Sequence, residues 1–232
     1  MSVSKFQENF DKLKLLANQL TAADVNLNLE KLKLVRHKGR SPPVTYINIY
    51  EDPHVTIGIF VLKPGEKLPL HDHPQMYGIL KVIAGTARIQ SYTVVKKSLP
   101  CTENILSLLE DRFANRLSAI KLPEETVNEK SNACFLTPDE RNIHEIHSVN
   151  GFAAFLDILS PPYDSTDEGE RTCHYYKEEK TNSAGESCTT ILATIPSPPE
   201  YWNDTAMYEG PRISYLMMAV RLRSSNYVKK SY

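Results

Sequence analysis

The first apolar repeat along the chain is helical. Phe6, Phe10, Leu13, Leu16 and Leu20 recur at spacings of three and four, which predicts an amphipathic helix over Ser4–Leu20. Ser4 and Gln7 match a capping box, and the apolar face is expected to cover the outside of a sheet. Thr21–Ser41 is polar and mixed, and its basic tract Arg36–Arg40 reads as a solvated loop. From Val44 the period changes to two. Val44–Tyr50 alternates, Val55–Leu62 is apolar throughout, and Pro64-Gly65 turns the chain. Further strands are expected around Ile79–Ile83, closed by Gly85, and over Gly85–Val95. Lys96–Asn132 interrupts the rhythm. Ile105, Leu108, Leu109, Phe113 and Ile120 return to roughly helical spacing, which predicts a surface insertion with one helix. Strands resume at Ala133–Leu136, Ile143–Val149 and Phe152–Leu159. Tyr163–Ser187 is charged and rich in Ser and Thr but holds a compact aromatic knot, Cys173–Tyr176. The tail carries Trp202 and ends in a basic terminus. Short strands at regular spacing, with turn signals between them, predict a β-sandwich or barrel.

Composition narrows this picture. The 232 residues are 41% hydrophobic and 24% charged, the profile of an ordinary globular protein. A net charge of −1 gives no electrostatic case for nucleic acid or an anionic membrane. The charged first turn lacks the apolar core of a signal peptide, and no run approaches the length of a membrane span. Cys101, Cys134, Cys173 and Cys188 are widely spaced without a CxxC pair, so a reduced, cytoplasmic protein is expected.

The chemistry concentrates in Gly65–Gly85. His71 and His73 are two apart, so on a strand both imidazoles face the same space. Two neutral imidazoles on one face can chelate a divalent transition metal. The layout of glycine, His-x-His and glycine resembles the first metal motif of the cupin barrels. That motif usually places a glutamate five residues after the second histidine, where this chain has Gly78. A third ligand must come from elsewhere. Leu136–Leu159 has the turn-then-strand form of the second cupin motif and offers His144 and His147, which face opposite ways on a strand. Only one can join the pair. His144 is the candidate and His147 the solvent-facing residue, although alternation by itself leaves the choice open. Three histidines without a carboxylate leave the metal its full charge and about three open positions. A substrate bearing adjacent thiol and amine would fill two of them and dioxygen the third. Zinc with one water is the competing reading.

HDHPQMYGILKVIAGTARI, LTPDERNIHEI, FLDILSPPYD and CHYY together resemble the thiol dioxygenases of the cysteamine dioxygenase and plant cysteine oxidase type. The resemblance runs, with gaps, from about Asp11 to about Pro211 and leaves out Lys96–Asn132 and the tail. It implies a mainly β fold, a cupin-like double-stranded barrel with an N-terminal helix and a helical insertion. The division expected is a single domain, 1–232, with a helix and lead-in (1–43), a first barrel half (44–95), an insertion (96–132), a second half (133–211) and a tail (212–232). It implies Fe(II) on His71, His73 and His144, and addition of both atoms of O2 to a thiol, giving a sulfinic acid. The implied substrates are cysteamine and proteins with N-terminal cysteine, with a role in oxygen sensing. A monomer is expected. Asp157 and Tyr163 match pocket positions of the family. Cys173 and Tyr175 match a pair that becomes cross-linked in animal members. A zinc or manganese cupin enzyme and a non-catalytic ligand-binding cupin are the alternatives.

Overall fold

A computed structural model describes residues 3–33, 39–95, 116–164, 169–182 and 189–212. Helix α1 (Val3–Asn18) and the short α2 (Leu29–Lys33) precede strands β1 (Val44–Glu51), β2 (Thr56–Leu62), β3 (Lys67–Asp72) and β4 (Tyr77–Val94). They are followed by β5 (Arg116–Lys121), β6 (Glu125–Asn128), β7 (Cys134–Leu136), β8 (Ile143–Ser160), β9 (Tyr175–Asn182), β10 (Thr189–Ile195) and β11 (Asn203–Thr205). Strand β8 pairs with β3, β3 with β9, β9 with β10, β10 with β5, β5 with β4, and β4 again with β8. That ring closes a six-stranded barrel, and β2, β1 and β11 extend the sheet from the far half of β8. Among the described residues no helix is long and apolar enough to cross a membrane.

Two long strands hold the barrel together. β4 and β8 are 18 residues each and pair along most of their length. The alternation had suggested a break at Gly85 and another near Gly151. Both glycines instead lie inside continuous strands. The β4–β8 register shifts at Val82/Ala84 and Gly85/Ala87, so the chain bulges there and bends without ending. Gly85 has φ 73° and a Cβ on it would stand 2.0 Å from the Phe152 carbonyl oxygen, so only glycine lets the two backbones approach.

Period two separates two packing faces on β8. Leu156 and Ile158 join Ile59, Ile79 and Phe10 in a cluster beneath α1. Phe155 joins Val44, Leu62, Leu68, Leu80, Val82 and Ile146 in a second cluster. Helix α1 docks through Phe6 and Phe10, whose rings lie 4.6 and 5.5 Å from Tyr77, and through the buried Ala17. The predicted face was wider than this. Leu13 is 36% and Leu16 61% exposed. With 3.6 residues per turn, Leu16 sits about 120° from Phe10 and misses the sheet. The helix also begins at Val3, so Ser4 lies within the first turn rather than capping it, and Gln7 bonds Asp11 instead. In the expected insertion, Ile105, Leu108, Leu109 and Phe113 lie outside the described residues, as do His37 and the chain after residue 212. Ile120 does not continue a helix. It lies on β5, paired with Thr93 and Thr189, and β6 pairs with β4.

Candidate metal centre

His71 is the last but one residue of β3, His73 lies just beyond the strand's end, and His144 lies second on β8. Cross-strand register sets His71 opposite His144. The ring centroids of the three histidines lie 4.7 to 4.9 Å apart. One ring nitrogen from each comes within 4.8 Å of the others. His71 Nδ1 is 2.7 Å from the Pro69 carbonyl and His73 Nδ1 is 3.1 Å from the Asn142 carbonyl. Each contact favours the tautomer with hydrogen on Nδ1, which leaves an Nε2 lone pair for a ligand. Burial lowers the pKa of all three imidazoles, most strongly at His73 and His144, and for those two the neighbouring imidazoles add to it. Three neutral nitrogen donors on one spot fit a first-row divalent metal.

The missing carboxylate has a packing counterpart. A Cβ at Gly78 would stand 2.8 Å from Leu136 Cγ and 3.0 Å from Leu159 Cδ2. Leucine side chains hold the space that a longer residue would need.

The histidines open onto a cavity of about 330 Å³. Its walls include Phe60, Phe155, Asp157, Tyr163, Cys173, Tyr175 and Tyr201, with Tyr46, Glu51, Thr56 and Asn203 also lining it. No Lys or Arg lines it among the described residues. Arg88 pairs with Glu124 at 3.5 Å and Arg141 with Glu125 at 2.9 Å, and neither lines the cavity.

A family model, PCO_ADO, matches residues 16–213. The chain belongs to the PCO_ADO family. The matched span contains residues 96–132, which the resemblance of motifs had left out. Human 2-aminoethanethiol dioxygenase is 39% identical, covering 90% of this chain and 82% of that protein. Plant cysteine oxidase 2 of Arabidopsis thaliana is 31% identical, covering 89% of this chain and 75% of that protein. A solved cupin superfamily protein from Desulfitobacterium hafniense DCB-2 overlaps in part, at 18% identity and a TM-score of 0.33, covering 59% of this chain and 90% of that one.

The expected site residues of this PCO_ADO chain come together around the three histidines. Asp157 shares a strand face with Phe155 and Leu159 and points into the cavity. Burial pushes its carboxyl up to about 7. The Tyr163 ring lies 5.6 Å from the His73 ring, and its hydroxyl donates to the Asp72 carbonyl at 2.6 Å. Cys173 lines the cavity with Tyr163 and Tyr175, and burial raises its thiol to about 12. Cys173 lies ahead of β9, which begins at Tyr175. His147 points away, 3.2 Å from Glu145, and His174 is tied to Asp72.

Two residues near the histidines were not read from the sequence. Asp72 is buried and accepts from the His174 backbone N–H at 2.8 Å and from the Tyr176 hydroxyl at 2.8 Å. It fastens the start of β9 to β3 from behind the histidines. The only sequence signal is its place between two histidines, which turns it to the opposite face. Asn142 donates from Nδ2 to the His73 carbonyl at 2.6 Å and holds the turn that carries His73. Tyr46 and Tyr201 reach the cavity from distant strands and loops, with no local pattern to announce them.

Proposed function

We propose that this chain is a non-haem iron thiol dioxygenase acting on cysteamine, on proteins with N-terminal cysteine, or on both, with an oxygen-sensing role. The observation that carries the reading is three neutral imidazoles at one end of a cavity that, among the described residues, holds carboxylates but no cation. The naming of the relatives as 2-aminoethanethiol dioxygenase and plant cysteine oxidase supports the same chemistry. His71, His73 and His144 are the ligands in this reading. Bound there, Fe(II) supplies the redox chemistry that joins both atoms of O2 to the substrate sulfur, R–SH + O2 → R–SO2H.

The chain's own groups prepare the substrate. An amine arrives as ammonium and must shed a proton before it can ligate. Asp157, with a carboxyl pKa near 7, is placed to accept that proton on its carboxylate. Tyr163, fixed by its bond to the Asp72 carbonyl, closes the wall beside His73 and excludes water. A free amino acid would bring a carboxylate to a cavity that has no lysine or arginine among the described residues to pair it, at a cost of several kcal/mol if buried. All of these groups come from one chain, so a monomer suffices, and residues 1–232 act as one domain. Thiol substrates persist in a reducing compartment, which supports a cytoplasmic location.

Mass spectrometry with isotopic O2 tests this reading. Two labelled oxygens are expected in the products from cysteamine and from an N-terminal-cysteine peptide, with N-acetylated peptide and free cysteine turned over at least about tenfold more slowly. Unlabelled products would return the site to zinc and water chemistry. Equal turnover of the acetylated peptide would remove the need for the amine.

The Cys173–Tyr175 pair carries a separate expectation. Forming a bond from sulfur to the phenol ring expels two hydrogens, with O2 as the oxidant. Intact mass should fall by about 2 Da in a fraction of the protein after turnover, but not in Cys173→Ser. A mass unchanged after many turnovers would leave the pair as packing only.

A further inference from the structure

The cavity has a second carboxylate that the proposed reaction does not use. Glu51 ends β1 and lines the cavity together with Tyr46, Thr56 and Asn203. It is exposed, whereas Asp157 lies deeper on β8. Among the described residues Glu51 has no ion-pair partner, and the Asn48 amide, 3.3 Å away, is its hydrogen-bond donor. Strand order sets the spacing between the two acids. Thr56 on β2 lies between Glu51 on β1 and Leu159 on β8, and Gly58 lies between Asn48 and Asp157. Two strand spacings and two residues of rise put the Cα atoms of Glu51 and Asp157 on the order of 12 Å apart.

An aromatic wall fills the interval. The Tyr46 ring lies across Gly58, where an added Cβ would stand 2.4 Å from Tyr46 Cε2. Its ring lies 4.9 Å from that of Phe60. A carboxylate beside an aromatic face is a receptor for an alkyl ammonium or guanidinium, which takes the ion pair at its head and the ring along its stem.

We infer that Glu51 and Tyr46 form a subsite for a lysine or arginine side chain at the second position of an N-terminal-cysteine substrate. The inference rests on the proposed function and deepens it. With the first residue's amine at Asp157, the second residue begins about 3.5 Å further along the substrate. A lysine stem of about 6 Å, meeting the glutamate side chain reaching inward, spans the remainder. Cysteamine is too short to reach Glu51. The mouth therefore separates protein substrates from one another without affecting how a small aminothiol binds at the histidines.

The test compares three peptides that begin with cysteine and differ only in lysine, glycine or glutamate at position two. Cysteamine is assayed beside them on the iron-loaded wild-type protein. Wild type should show kcat/KM for the lysine peptide at least about fivefold above that for the glutamate peptide, mostly in KM, and the ratio should shrink as salt is raised. In Glu51→Gln the ratio should fall toward one, and in Glu51→Lys it should invert. Each ratio is taken within one variant, so losses of iron or fold cancel. Equal kcat/KM for the three peptides on wild type, or a lysine preference that survives in Glu51→Gln, would overturn the subsite. Cysteamine turnover in the first of those cases would leave the dioxygenase reading standing. A chain that oxidises neither cysteamine nor any peptide overturns both.

Discussion

Alanine at His144 is expected to strip the metal from the protein, while alanine at His147 leaves it bound. The two residues are three apart on β8, and only His144 turns inward to face His71 across the β3–β8 pair. His147 lies outside, against Glu145 and close to Lys67 in register. In wild type, metal analysis of protein grown without supplement should find about one iron per chain. His71→Ala, His73→Ala and His144→Ala should each lower iron retention and oxygen consumption by more than about a hundredfold, because two imidazoles chelate far less tightly than three. The barrel should survive in all three, since each replaced ring borders a cavity and removing it leaves the surrounding sheet paired. His147→Ala should lose little beyond its half-buried contact with Glu145, worth about 1 kcal/mol. Iron lost in His147→Ala but kept in His144→Ala would mean that β8 is three residues out of register against β3.

The second large effect sets activity against stability at Asp157. Its carboxyl is raised to about 7 in the folded chain by burial, against an ordinary value of 3.8. Between those values the folded state holds a proton that the unfolded state has released. Stability contributed by this position therefore falls as pH rises from about 4 to 7 and stays low above that. Asp157→Asn removes the ionisation. Metal-free Asp157→Asn should unfold at a higher temperature than metal-free wild type at pH 8, by the equivalent of about 1–3 kcal/mol, with little difference at pH 4. Asparagine cannot accept the substrate's proton, so the iron-loaded variant should lose about a hundredfold or more in kcat/KM for cysteamine. A midpoint difference that is the same at both pH values would show that the carboxyl is not strained by its burial. Full activity would remove Asp157 from the reaction.

The gain and the loss have one cause. Asp157 sits on an apolar strand, between Leu156 and Ile158. A carboxylate kept there at a cost to stability is the pattern expected of a group that handles protons.

The sequence by itself determined the same-face pair His71 and His73 and the class of fold. A His-x-His pair needs only strand geometry to put both rings on one side, and that geometry is local. The alternating runs from Val44 onward determined most strands on the same ground, and Asp157 was conspicuous as the one charge in an apolar run. The tertiary structure decided the rest. Whether His144 or His147 completes the set depends on the β3–β8 register, which no period within either strand specifies. Gly85 and Gly151 could have ended strands or bulged them, and the pairing of β4 with β8 made them bulges. β5 and β6 look like parts of an insertion until β4 supplies their partner. Tyr46, Glu51 and Tyr201 line the cavity only because β1 and the chain after β10 are carried around to the same opening. Arg88 and Arg141 pair with Glu124 and Glu125, acids that the motifs do not contain, and neither lines the cavity. Side-chain direction along one strand is a local property, but the choice of what it faces belongs to strands far away in the chain.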